Sequence, residues 1–260
     1  MSAPGFWHVR PGSQTEQVGR LFLAGLVVVF LPALPFGTYL VYPFVILTTW
    51  FHEMGHGLAA LGVGQDFQQL MIFANGSGVA QSAVAADAGV GARMAIAAGG
   101  PLGPSIVGAL LILASARERL WRPALWLMAA AIFASVILYV RSATGFAVLP
   151  LVAALLCLVA WRGKPALARF TLQFIGLLAA MSMLRDFDYL FTREATINGQ
   201  RILSDTGQLA ALTGLPHWLW AGVILALSAA MVGAGLKVAL AERRPTRPAN
   251  VLQFKANKRR

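Results

Sequence analysis

The sequence predicts an all-α polytopic membrane protein: about seven transmembrane helices, with a short β-hairpin near the residues that carry its chemistry. Three observations carry that prediction. Hydrophobic residues fill 58% of the 260 positions and charged residues only 12%, where ordinary soluble domains carry about 25% charged. The mean hydropathy is +0.68. Several uncharged runs reach the length of roughly 20 residues that a membrane span needs. No stretch reads as a soluble domain. The expected organisation is an N-terminal segment at 1–18, a membrane-embedded domain at 19–240 and a basic tail at 241–260.

No charged residue lies between Arg20 and His52. That run is too long for one span, and Pro32, Pro35 and Gly37 interrupt it, so a first helix is expected near 19–36 and a second near 41–63. A polar stretch follows at 64–91, with Asp66, Asn75-Gly76 and Asp87. Asn-Gly between Met71-Ile72-Phe73 and Val79-Ala80 is a hairpin signal. Beside an intramembrane helix, such a hairpin needs protein or water to cover it. Five further helices are expected from the runs 94–116, 123–140, 142–161, 170–184 (extended past Arg185 to about 190) and 206–236. Gly99 and Gly103 have the small-xxx-small spacing that lets transmembrane helices approach closely, which predicts packing against the second helix.

The net charge of +11 is unevenly spread. Eight of the 21 Lys and Arg lie between Lys237 and Arg260, against the one acid Glu242. This predicts a cytoplasmic tail held near anionic lipid rather than a nucleic-acid site, because the tail lacks interleaved aromatics and a fold of its own. The links carrying Arg117, Arg119 and Arg122, and Arg162, Lys164 and Arg169, fit the same side, whereas 64–91 has no Lys or Arg. Seven spans would then put the C-terminus in the cytoplasm and the N-terminus outside, with Arg193 and Arg201 against the trend. The first 20 residues lack the three regions of a cleaved signal peptide and are expected to be retained. The single cysteine, Cys157, has no internal disulfide partner and reads as a small buried hydrophobe.

His52 and His56 are four residues apart, so on a helix they share a face and can ligate one Zn²⁺. Glu53 flanks that pair, the placement of a general base. The chain has four His and ten acidic residues, and three of these fall within five positions of an apolar segment. An ionisable residue inside a span costs about 2.5–3.5 kcal/mol on insertion scales, which points to function. A catalytic zinc site normally has three protein ligands. Asp186 is the favoured third, being flanked by apolar helix on both sides, with Asp188 and Asp205 as fallbacks. Asp205 also has a purely structural explanation, since with Gln208 it resembles a capping box. His217 beside Trp218 and Trp220 reads as part of an interfacial aromatic belt.

These residues resemble the M50 group of intramembrane zinc metallopeptidases, site-2-protease-like, in its M50B-like branch. The resemblance rests on His52-Glu53-Met54-Gly55-His56-Gly57, on Asn75-Gly76-Ser77-Gly78-Val79, on Ala98-Gly99-Gly100-Pro101-Leu102-Gly103, and on Asp186 with the later Ser204-Asp205. It implies Zn²⁺ held by His52, His56 and a late-span aspartate. It also implies Glu53 as general base on a zinc-bound water, and hydrolysis in or near transmembrane segments of membrane-protein substrates. The better-known members carry the third ligand in an Asn-Pro…Asp-Gly motif, which is absent here. The implied location is multi-pass, in a bacterial inner (plasma) membrane. Two other classes fit the same residues: a catalytically silent metal-binding homologue that regulates a partner, and a transporter using His52, Glu53, His56 and Asp186 as a proton or metal pathway. No paired broken helices of the kind transporters use are visible in the sequence.

Overall fold

The computed structural model describes residues 19, 22–23, 25–26, 30–197 and 199–240. The expected segment at 1–18 and the tail at 241–260 lie outside these residues, as does part of the helix expected near 19–36. The described positions of that helix, such as Phe22, Leu23 and Phe30, are helical, and a single 3₁₀ turn follows at Leu31–Ala33.

Helix α1, Gly37–Gly62, carries His52, Glu53 and His56. It leads into an antiparallel hairpin of β1, Asp66–Ile72, and β2, Gly78–Ala83, in which Leu70 faces Ala80 and Ile72 faces Gly78. The Asn75-Gly76 signal sits in the connecting loop. Gly76 has φ +85°, and Asn75 Oδ1 accepts the Ser77 N–H at 3.0 Å. Helix α2, Val90–Ser115, follows, then α3, Glu118–Leu138, α4, Ala143–Arg162, and α5, Pro165–Arg185. A one-turn helix α6, Phe187–Leu190, precedes a second antiparallel hairpin, β3, Glu194–Ile197, and β4, Gln200–Leu203. Helices α7, Asp205–Thr213, and α8, His217–Leu240, complete the described chain.

Helices α1 and α2 touch backbone to backbone. A Cβ added at Gly55 would lie 2.2 Å from the Gly99 carbonyl oxygen, and one at Gly103 would lie 3.0 Å from Gly55 Cα. Only glycine permits that approach, as the Gly99/Gly103 spacing predicts. On another side of α1, buried Ile46, Leu47, Trp50 and Phe51 join Leu125, Ile132, Leu149 and Leu172 in one core. The Trp50 indole N–H, which has no water to meet there, donates to Ser135 Oγ at 2.8 Å. Outward faces are apolar: Leu127, Ile137 and Leu151 are 73%, 74% and 66% exposed. Burying such surface requires lipid rather than water.

Among the described residues, five helices are long and apolar enough to cross a membrane: α2, α3, α4, most of α5, and α8. Helix α1 is long enough, but Thr48, Thr49, His52, Glu53 and His56 dilute its apolarity. The sequence expectation of about seven spans is therefore matched at five. The uncharged run 206–236 is not one helix. Gly214 takes the left-handed conformation (φ +73°) that ends α7, and Pro216 precedes the fresh start of α8 at His217. The second hairpin was not expected, although Asn198-Gly199 carries the same signal as the first. Gly199 has φ +79°, and Ile197 faces Gln200 across the turn.

Candidate metal centre

The helical spacing of His52 and His56 brings their Nε2 atoms to 3.2 Å. Across the cavity, Asp205 presents one oxygen to each: Oδ2 is 3.1 Å from His52 Nε2 and Oδ1 is 3.3 Å from His56 Nε2. A tetrahedral zinc with bonds of about 2.0–2.1 Å holds its ligand atoms about 3.3 Å apart. One ligand atom from each of the three residues lies within 4.8 Å of the others, close enough to gather around one small ion, and two imidazoles with a carboxylate suit zinc. Asp205 is 2% exposed, and its Oδ2 has no hydrogen-bond partner despite its nearness to His52. An orphaned buried carboxylate oxygen is costly unless a cation meets it. The residues therefore fit a metal.

Neighbouring backbone fixes each ligand. His56 Nδ1 lies 2.7 Å from the Ile96 carbonyl oxygen on α2. A carbonyl can only accept, so Nδ1 carries the proton and Nε2 offers a lone pair toward Asp205. His56 fits because residue 100 has no side chain: a Cβ there would stand 2.0 Å from Nε2. Glu53, 6% exposed, packs under the β1–β2 hairpin. A Cβ on Gly78 would lie 2.7 Å from its Cγ and Oε1, and its carboxylate accepts the Ala80 N–H. Thr49 Oγ1 donates to the Gly76 carbonyl at 2.6 Å and the Tyr42 hydroxyl to Ala74 O at 3.0 Å, pinning the hairpin on α1.

The helix-capping explanation of Asp205 does not hold. Ser204 is the N-cap of α7, its Oγ accepting the Gly207 N–H at 3.0 Å. Asp205 is the first helical residue, free to turn into the cavity. Ser204 Oγ also donates to Thr192 O, and Thr206 Oγ1 donates to Leu190 O at 2.7 Å. These bonds staple the start of α7 to the chain after α6. The clue was in the sequence: a serine one position earlier is itself a cap, which releases Asp205 from that duty.

The donors line a cavity of about 460 Å³, walled also by Val79 and Ala80 of one hairpin and Ala195, Ile197 and Ile202 of the other. Asp186, the expected third ligand, follows α5 and lines this cavity, but it is not in the group of three close donors, and Asp188 is exposed. Tyr189, unexpected from the sequence, also lines the cavity, its ring near-perpendicular to that of His52 with centroids 6.3 Å apart. Burial, then the carboxylates of Asp205 and Glu53, push its phenol above the ordinary tyrosine range, so it stays a protonated donor.

The Peptidase M50B-like family model matches residues 21–235, the site included. The chain belongs to that family. The M50 families are metallopeptidases, and an M50B-like chain with five apolar helices of spanning length is an integral membrane protein. No curated protein and no solved structure matches this one. The possible metal site of this M50B-like chain is the group His52, His56 and Asp205.

Proposed function

We propose that this chain is an intramembrane zinc metallopeptidase that hydrolyses peptide bonds in or near transmembrane segments of membrane-protein substrates. The observation that carries the proposal is the grouping of His52, His56 and Asp205, whose ligand atoms all lie within 4.8 Å of one another, with Glu53 beside them in a cavity within a helical bundle. His52, His56 and Asp205 would hold the ion, with Asp186 near it in the cavity wall. Zinc held there would supply Lewis-acid activation of the attacking water and the scissile carbonyl. Glu53 accepts the proton of the attacking water and returns it to the leaving amine. The Ala80 N–H holds its carboxylate in place. Tyr189 keeps its proton and points a donor into the cavity.

A substrate helix must unwind before its carbonyls are reachable. The β1–β2 hairpin is suited to receive the unwound segment as an added strand. We read α1 and the segment near 19–36 as further spans beside the five apolar helices, taking the total to about seven.

The test is Glu53→Gln, assayed for cleavage of tagged single-span membrane proteins in proteoliposomes. Loss of a general base lowers turnover by about 10²–10⁴-fold, with metal content unchanged. Zinc-replete Glu53→Gln protein that cleaves at the wild-type rate would overturn the assignment.

A further inference from the structure

We infer that an anionic phospholipid docks at the corner where the α2–α3 and α4–α5 links meet, its phosphate held by Arg122, Arg162 and Lys164 and an acyl chain lying along α4. This corner lies well away from the metal centre, and lipid binding there goes beyond the peptidase reading and does not depend on it.

Contacts between the links build the corner. The Trp121 indole N–H donates to Ser115 O at 2.7 Å, which folds the start of α3 back on the end of α2. The Arg122 guanidinium donates to Gly163 O at 3.2 Å, so it reaches from α3 to the residue between Arg162 and Lys164. The Arg169 guanidinium stands 5.5 Å from the Trp121 ring centroid, which draws the start of α5 to the same place. His56 is seated at Gly100, fifteen residues before the end of α2. At about 1.5 Å per residue, the corner is about 22 Å along that helix from the metal ligands.

The charge at the corner calls for an anion. In and beside the two links stand Arg117, Arg119, Arg122, Arg162, Lys164 and Arg169, against the one acid Glu118. Arg122, Arg162 and Lys164 are exposed, and the bond to Gly163 O gathers them. The Arg162 guanidinium lies over the Trp161 ring, 4.6 Å from its centroid. A guanidinium stacked on an indole keeps its edge N–H groups for a phosphate.

The surroundings make that anion a lipid. Helices α3 and α4 have 21 and 20 residues, about 30 Å of helix, which is the thickness of the hydrocarbon core. Their ends therefore lie at headgroup depth, and exposed Trp161 suits that level. Arg162 also ends a stripe. Leu151, Leu155, Leu158 and Arg162 follow one another at four, three and four residues, so they share one face of α4, and all four are exposed. That face offers an apolar track for an acyl chain, with a cation at its end for the phosphate. Basic pockets between transmembrane helices hold anionic headgroups in this way. A free phosphate would use the cations and leave the leucines unused.

Native mass spectrometry of the full chain in neutral detergent tests the site without needing activity. The probes are dioleoyl phosphatidylglycerol, dioleoyl phosphatidylcholine and inorganic phosphate. The anionic lipid is expected to bind in preference to the neutral one, and inorganic phosphate at equal concentration should not displace it. Arg122→Gln, Arg162→Gln and Lys164→Gln should each weaken the anionic lipid about fivefold. Arg201→Gln, which removes an exposed cation paired with Glu194 away from the corner, should bind as wild type does. Equal binding of the two lipids, displacement by phosphate, full affinity in the corner variants, or an equal loss in Arg201→Gln overturns the inference. Three single variants keep the test valid if one fails to fold.

Discussion

His56 owes its position as much to residue 100 as to its own helix. Its ring fills the space where a side chain on α2 would be, 2.0 Å from the Cβ that any other residue would bring. Gly100→Ala must therefore displace the ring and break its bond to Ile96 O. Losses of this kind typically cost 10–100-fold in metal affinity, which a zinc competition titration reads directly. Gly91→Ala, on the same helix with open space around it, is the contrast. It should leave affinity unchanged. At this scale the sequence was legible where the chemistry is local. His52, Glu53 and His56 are neighbours on one helix, so spacing alone puts them together. Asp205 lies about 150 residues away, and its neighbourhood offered a sufficient local account of it as a cap. Nothing in one sequence reports that His52 and His56 stand opposite it. Asp186 was preferred because apolar residues flank it, a criterion that measures depth in the membrane and says nothing of direction.

Among the elements, the start of α7 does the aligning. Ser204 caps the helix and holds Thr192 O, while Gly207 lies so near Arg193 O that a Cβ would come to 2.1 Å. Ser204→Ala should cost about 1 kcal/mol as a lost cap, seen as a lower thermal midpoint. It should weaken zinc binding as well, because the same bonds aim Asp205. Ser204→Thr retains the hydroxyl and should recover both; recovery of stability without recovery of zinc affinity would separate the cap from the aiming. The hairpins show how far turn chemistry can be read. Asn75-Gly76 locates the first, whereas the equivalent Asn198-Gly199 is a fainter signal because its flanking strands are only four residues long. The break between α7 and α8 was hidden for a different reason. The run 206–236 has no charge to interrupt it, and only Gly214 and Pro216 mark the corner.

For the whole molecule, composition conveyed the class of fold and periodicity its main helices, since a bilayer imposes length and apolarity directly on sequence. The helix with the metal residues is not among the five apolar enough to span, and Thr48, Thr49, His52, Glu53 and His56 stand in it. It survives by burying them against α2 and the first hairpin rather than against lipid. The architecture follows from that need: two glycine-rich surfaces close over a polar stripe, and two hairpins wall the cavity where the stripe opens. The account stands on Asp205 completing a three-residue site with His52 and His56. The most direct measurement is zinc per chain, by elemental analysis of purified protein. Wild type and Asp186→Ala should each hold about one equivalent, and Asp205→Ala should lose it. Full zinc in Asp205→Ala, with loss in Asp186→Ala, would contradict the account.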